Sequence, residues 1–430
     1  MTPTRQELEA LVRAALEELS PRRLVREALL GSHQQKNWAH KHIRASLSDS
    51  ENEESTYRNV IVLALGKAAA PMAQGALDAL GDRIRKCVIA GPNWGTHPIP
   101  SPKSEAAGRA LLAAATAART GDQVIALVSG GGSALAVVPR QGLSITDLAD
   151  AYRLLIASGR SIIDINTVRR QLSAIKGGLL AAAVVPANLC TLVLSDVPGN
   201  DLSAVASGPT IVPSPPIPNA YSIGQAVGLP QSMMAYLSDR ETVKTAGQTT
   251  HQTTPRQEHR LDFPVVRLAD NHLLVERVSA HALKHGVHAL PVFGGLDGPI
   301  KNVVERVQTT FVDAAHQSLI VLGGESTVFV PPNAPPGGRL HHLAISLVEF
   351  VARFPRACAL AISSDGVDGS CGAGAFIDSR TQDLFDRNAM VINDMIANRS
   401  AAPALRAIGR ALPPAPSGHN LADLLLMWKP

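Results

Sequence analysis

Five apolar runs in this chain stop abruptly in small, hydroxylated or charged residues, and helical segments lie between most of them. Val60–Leu65 turns at Gly66-Lys67, Val124–Val128 runs into Ser129-Gly130-Gly131-Gly132-Ser133, and Leu189–Leu194 ends in Ser195-Asp196. Farther on, Ser318–Leu322 leads to Gly323-Gly324-Glu325, and Cys358–Ser363 leads to Ser364-Asp365-Gly366-Val367-Asp368-Gly369. Short apolar runs separated by helices of roughly 12–18 residues predict an α/β chain with a mostly parallel, doubly wound sheet. Sheets of this kind bind ligands beyond the carboxyl ends of their strands, so these five run-ends are where chemistry is expected.

The remaining pattern fills in around them. Thr4 and Glu7 form a capping box ahead of the stripe Leu8, Leu11, Val12, Ala15 and Leu16, and Pro21 opens a second helix. Helices are expected over Ala68–Leu80, Ser104–Arg119, Ile145–Ser158, Asn166–Val184, Asn271–His285, Asn302–His316 and His341–Arg353. Further strands are expected at Lys86–Ala90, Pro264–Leu268 and His288–Val292. The polar stretch 33–58, with Asp49, Glu51, Glu53 and Glu54, reads as a solvated loop, and the polar, aperiodic stretch 245–260 as another. The division that follows is N-terminal helices over 1–40, a Rossmann-like domain over 41–240, a flexible loop over 241–262 and a second α/β domain over 263–430.

Composition limits the partners. The net charge of +4 is small for 430 residues and is not gathered into runs, which argues against nucleic-acid or membrane binding. Four dispersed cysteines without a CxxC pair fit free thiols in a reducing compartment. No run approaches the roughly 20 apolar residues of a membrane span. The expectation is a soluble cytoplasmic chain, monomeric or homodimeric, that binds a small molecule.

Particular residues point to an anionic, oxygen-rich ligand. Lys67 follows a strand and opens a helix, where an ammonium and free backbone N–H groups both favour phosphate. Ser129–Ser133 can cradle phosphate through backbone N–H groups, although no Walker A loop and no proper dinucleotide fingerprint occurs. Asn166, Arg169, Arg170 and Lys176 lie ahead of Asp196, Asp201 and Ala206-Ser207-Gly208-Pro209-Thr210 in one continuous stretch. The acids Asp196, Glu325, Asp365 and Asp368 all follow apolar runs beside glycine, where carboxylates hold Mg²⁺ or accept protons. Arg339, behind Gly337-Gly338, offers a planar fork for phosphate. His281 and His285 have zinc-like spacing without a completing ligand set, and no G-x-S-x-G elbow exists.

These motifs resemble, in order, those of the glycerate 2-kinase family, whose members carry a C-terminal MOFRL-type domain and are sometimes labelled hydroxypyruvate reductases. The resemblance rests on ALGKAAAPMA, HPIP, LVSGGGSAL, INTVRRQLSAIKGGLLA, LVLSDVPGNDLSAVASGPT, GGES and SSDGVDG. It implies a two-domain kinase that moves the γ-phosphoryl of ATP, with Mg²⁺, to the 2-hydroxyl of D-glycerate, in a cleft between domains. By resemblance Lys67 and Arg339 are the catalytic pair. Ser129, Gly130, Gly131, Gly132, Ser133, Asn166, Arg169, Lys176, Asp196 and Asp201 would bind substrate and phosphate. Glu325, Asp365 and Asp368 would serve the nucleotide or metal side, with Asp196 and Asp365 as metal ligands.

The chain departs from the family at Pro331-Pro332-Asn333-Ala334-Pro335-Pro336, at Leu340 and His342 after the arginine, at Asn200, and over 415–424. These departures point first to an altered acceptor, such as a longer sugar acid. A ligand-binding relative without catalysis and an NAD(P)H-dependent reductase are the competing readings.

Overall fold

The computed structural model describes residues 2–31, 59–197, 199, 201–214, 218–238, 263–329, 331, 334–369 and 371–430. The acidic stretch 33–58, the loop 241–262, Asn200, Pro332 and Asn333 lie outside the described residues. Two compact units emerge. One comprises Pro21–Ser195 and Asn200–Leu268, the other Met1–Ser20, Asp196–Gly199 and Ala269–Pro430. The first two helices, α1 (Arg5–Glu18) and α2 (Pro21–Leu30), therefore fall in different units.

The first unit is built on a five-stranded sheet of order β2-β1-β3-β4-β5. Its strands are β1 (Val60–Leu65), β2 (Ile84–Ala90), β3 (Gln123–Ser129), β4 (Asn188–Leu194) and β5 (Val265–Ala269). β1 pairs in parallel with β2 and β3, and β3 with β4. β1 and β3 are buried along their whole length. That explains their unbroken apolar sequences, because a parallel strand is covered on both faces. Each fully buried Val, Leu or Ile there contributes about 1.5–3 kcal/mol. The edge strand β2 differs: Arg85 and Lys86 are exposed on it, and such charges block pairing with another chain.

Helices connect these strands: α3 (Ala69–Leu80), α4 (Pro102–Thr116), α5 (Gly132–Leu135), α6 (Ile145–Ala157), α7 (Ile162–Leu172) and α8 (Leu179–Val184). α9 (Ala220–Ala226) and α10 (Gln231–Ser238) close a second core with α6 and α7 around Tyr152, Val168 and Met233. The helix expected over Asn166–Val184 is in fact two. It breaks after Leu172 because Ala174 N–H donates to Val138 O (2.8 Å) and Gly177 and Gly178 take positive φ. This break matters, since it carries Lys176 into the interior.

The second unit is the second α/β domain, and its sheet is mixed. Its six-stranded sheet has the order β12-β11-β10-β13-β8-β6, from β6 (His288–Val292), β8 (Ser318–Gly324), β10 (Cys358–Ser363), β11 (Gly374–Asp378), β12 (Ala411–Leu412) and β13 (Asp423–Lys429). Only β6 and β8 pair in parallel; the other four ladders are antiparallel. A separate short ladder joins β7 (Gly298–Pro299) to β9 (Ser326–Thr327). β13 runs between β8 and β10 and opposite to both, so its first residue reaches the rim where those two strands end. Asp423 is registered with Gly324 on one side and Ser363 on the other.

The helices α11 (Asn271–Lys284), α12 (Ile300–Asp313) and α13 (Arg339–Ala352) pack on this sheet. Phe311, Phe350 and Phe354 meet at ring-centroid distances of 5.0–5.4 Å in the core. α1 docks here too. Glu18 pairs with Arg277 (3.3 Å) and His281 (3.2 Å), and His419 Nε2 lies 2.8 Å from Leu16 O. His281 thus serves a contact between helices.

Candidate active site

The sheet order of the first unit reverses between β1 and β3, and doubly wound sheets of this order place their ligands at that reversal. Gly66-Lys67 and Ser129–Ser133 are the residues found there. Lys67 N–H donates to Gly130 O (2.9 Å), and Ala68 N–H donates to Ser129 Oγ (3.0 Å), which ties the two strand ends together. Gly66 has φ +110°, and a Cβ on it would stand 2.2 Å from Ser129 O, so only glycine fits. A Cβ on Gly131 would meet Lys67 Cγ at 3.0 Å and Cε at 3.5 Å, which places the lysine stem along the glycine loop.

A polarised chain of hydroxyls follows. Asn166 Nδ2 donates to Ala204 O (3.1 Å), which fixes the amide and turns Oδ1 toward Ser207. Ser207 Oγ donates to that oxygen (2.8 Å). Its single proton is therefore taken, so across the 2.7 Å contact Ser133 must donate to Ser207. Ser133 Oγ is left with acceptor lone pairs, suited to a ligand hydroxyl. Ala206 and Ser207 adopt φ +52° and +62°, strained values for residues with a Cβ. Gly177 and Gly178 hold this turn by donating to Ser207 O (3.1 Å) and Gly208 O (2.7 Å).

Behind the loop lies a group of buried cations. Lys176 is 1% exposed and donates to Ala136 O (3.2 Å) and Gly132 O (3.4 Å). Burial, reinforced by Arg169 and Arg170, brings its ammonium down to about 7. Arg169, 7% exposed, stacks over Tyr152 at 4.3 Å, and its Nε finds no acceptor among the described residues. Burial pushes the Tyr152 hydroxyl up to about 12, so it remains a donor, to Ser133 O (3.1 Å). Arg170 donates to Ser203 O (2.8 Å). A buried guanidinium without an anion is costly, and the arrangement therefore favours a negatively charged ligand.

Of the two acids expected with this group, Asp201 stands at its edge, where its charge acts on Arg170, and Asp196 lies outside it. Asp201 is exposed and caps the short helical turn Leu202–Ser207, accepting from Ser203 N (2.9 Å) and Oγ (2.6 Å). Asp196 belongs to the second unit, where Asn420 Nδ2 donates to its Oδ2 (2.8 Å).

The second unit gathers its acids around Arg339, the first residue of α13. Arg339 Nε donates to Asp423 Oδ2 (2.5 Å), and Nη1 pairs with Glu325. Asp368 is 2% exposed and accepts from Leu340 N (3.2 Å), His341 N (2.9 Å) and His341 Nδ1 (2.5 Å). It thereby caps α13 and fixes where Arg339 begins. Asp365, half-buried, accepts from Ser363 Oγ (2.8 Å) and Val367 N (2.9 Å). Burial lowers the guanidinium of Arg339, but Asp423, Glu325 and Asp368 outweigh it and hold the pKa well above the usual value. Burial pushes Asp423 up to about 6 in spite of Arg339. His342 accepts from Arg399 Nη1 (3.0 Å), and burial beside that cation brings it down to about 4. Among the described residues no group of three or more His, Cys, Asp or Glu is placed to hold a metal ion.

Asp423 and Tyr152 were not among the expected site residues. The run Leu424-Leu425-Leu426-Met427-Trp428 carried a signal for β13, but nothing in it gives strand direction.

Comparison with known proteins completes the picture. The family described as domain of unknown function DUF4147 matches residues 7–238, and the MOFRL family matches residues 318–423. The D-glycerate 2-kinase of Thermotoga maritima is 30% identical, over 85% of this chain and 90% of that protein. A putative hydroxypyruvate reductase of Agrobacterium vitis is 31% identical, over 85% of this chain and 86% of that protein. The crystal structure of glycerate kinase from Thermotoga maritima superposes with a TM-score of 0.75 at 25% identity, covering 98% of both chains. The class defined by this fold and these matches is a phosphotransferase with an alcohol group as acceptor. The chain belongs to the glycerate 2-kinase family.

No helix among the described residues is long and apolar enough to cross a membrane.

Proposed function

We propose that this enzyme transfers the γ-phosphoryl of ATP, with Mg²⁺, to the 2-hydroxyl of D-glycerate or a closely related sugar acid. The observation that carries the reading is the cation group behind the glycine loop, in which Arg169 Nε has no acceptor among the described residues. A carboxylate-bearing acceptor and phosphate oxygens supply what that group lacks. Ser133, left as an acceptor by the Ser207–Asn166 chain, suits the hydroxyl of a hydroxy acid. Lys67 neutralises charge on the transferring phosphoryl group, and Arg339 presents the rest of its fork to phosphate oxygens. Phosphoryl transfer asks for little more than such positioning and charge stabilisation.

Mg²⁺ is commonly held by one or two carboxylates together with phosphate oxygens, so it needs no preformed protein cage. The half-buried Asp196 and Asp365 fit that requirement and are the residues that would hold it. When bound, the ion would neutralise phosphate charge. The experiment that tests the reading is ADP release by the full chain over C3 to C6 hydroxy acids. D-glycerate or a longer 2-hydroxy acid is expected to drive release. NADH oxidation with hydroxypyruvate and no ADP release would favour the reductase instead.

Lys176 gives a pH signature. Its ammonium sits near 7 because of burial and of Arg169 and Arg170, so at pH 8 it is largely neutral in the free enzyme. A bound anion favours the charged form and raises that value. D-glycerate binding at pH 8 is therefore expected to take up a fraction of a proton, and the uptake should fade below about pH 6. Calorimetry in Tris and in HEPES reads it as a buffer-dependent enthalpy, absent in Lys176→Met. Equal enthalpies in both buffers for the wild type would contradict the assignment.

A further inference from the structure

We infer that Asp423 is the positioning residue for Arg339, holding its guanidinium so that the Nη2 end faces away from the ion pair. The inference rests on the role proposed above for Arg339. Asp423 is 1% exposed, opens β13, and donates nothing to the core that an apolar residue would not supply better. One of its oxygens, Oδ1, has no partner among the described residues. Burying a carboxylate so incompletely satisfied is costly, and stability alone does not explain it.

What the carboxylate does contact is Arg339 Nε, at 2.5 Å. Its own location is fixed from behind, because Asn271 Nδ2 donates to Asp423 O (3.1 Å) and to Leu421 O (2.8 Å). Asp368 pins the backbone of α13 through Leu340 N and His341 N, and Asp423 pins the side chain that projects from its first residue. The two ion pairs differ in kind. Glu325 is 34% exposed and Asp423 is 1% exposed, so the pair with Asp423 is the shielded, lasting one. Nε and Nη1 are engaged, and Nη2 has no partner among the described residues. A rigidly held fork loses little entropy when it meets a phosphate, whereas a mobile one must be ordered each time.

Asp423→Asn keeps the side-chain size and removes the charge. It is expected to lower kcat about 10- to 100-fold with KM for the acceptor within about threefold, the pattern of a contact that matters in the transition state. The decisive measurement is a double-mutant cycle. In an Arg339→Ala background, Asp423→Asn should have no further effect on kcat, since Asp423 acts through Arg339. An equal fold-loss in both backgrounds would overturn the inference and leave Asp423 as a fold residue. Unchanged kcat in Arg339→Ala itself would instead overturn the role proposed for the arginine. The wild type offers a check that requires no folded Asp423 variant: the Arg339 Nε–H, identified by its loss in Arg339→Lys, should exchange slowly in the proton NMR spectrum. Exchange as fast as that of surface arginines would also overturn the inference.

Discussion

Lys67→Ala is expected to lower kcat by about 10²- to 10³-fold, the scale seen when one preorganised donor to transition-state charge is removed. The fold should survive. The bond that anchors this turn is made by the backbone, Lys67 N–H to Gly130 O, and it does not depend on the side chain. The stem lies along Gly131 in the glycine loop, so truncation removes a charge at the reversal point of the sheet and little core packing. Arg339→Ala is expected to fall within the same range, with an added stability cost, because it strands the buried carboxylate of Asp423. Steady-state kinetics beside a thermal melt separate the two. Lys67→Ala with full activity would remove the residue from the mechanism.

The second large effect is on stability. Gly66→Ala places a methyl group 2.2 Å from Ser129 O and 2.3 Å from Ser129 Oγ at a backbone φ of +110°. The strained conformation and the steric conflict together are expected to cost about 2–5 kcal/mol. Neither neighbour can yield cheaply, because Ser129 Oγ already accepts from Ala68 N–H and donates to Leu65 O. Gly121→Ala is the control: its φ is +86°, but nothing lies within 4 Å of the added carbon. That variant should lose only about 1–2 kcal/mol. Urea unfolding of both, with equal losses, would show that the approach of β1 to Ser129 is not what constrains Gly66.

Much of this was legible in the sequence. The apolar runs of β1, β3 and β4 are covered on both faces, and burial on both faces writes a strand plainly. The capping box at Thr4 and Glu7 is a local device and was readable as such. Less legible was anything that depends on a distant partner. The break at Ser173–Gly178 follows from pairing with Val138 and with the strained turn at Ser207, which no helix propensity registers. Asp368 looked like a ligand for metal or nucleotide, yet its carboxylate caps a helix met only at Leu340. Asp423 was invisible for a different reason. Acidic residues were sought where strands end, and β13 begins at that rim because it runs opposite to its neighbours. Direction is a property of the sheet and is not written in the strand.

Phosphoryl transfer from ATP to a hydroxy acid is read out as ADP release. The purified chain, supplied with ATP and Mg²⁺, should release ADP when D-glycerate or a longer 2-hydroxy acid is added, and Lys67→Ala should fall about 10²-fold or more below it. No ADP release with any acid from C3 to C6 would exclude this activity, and release undiminished in Lys67→Ala would exclude Lys67 from it.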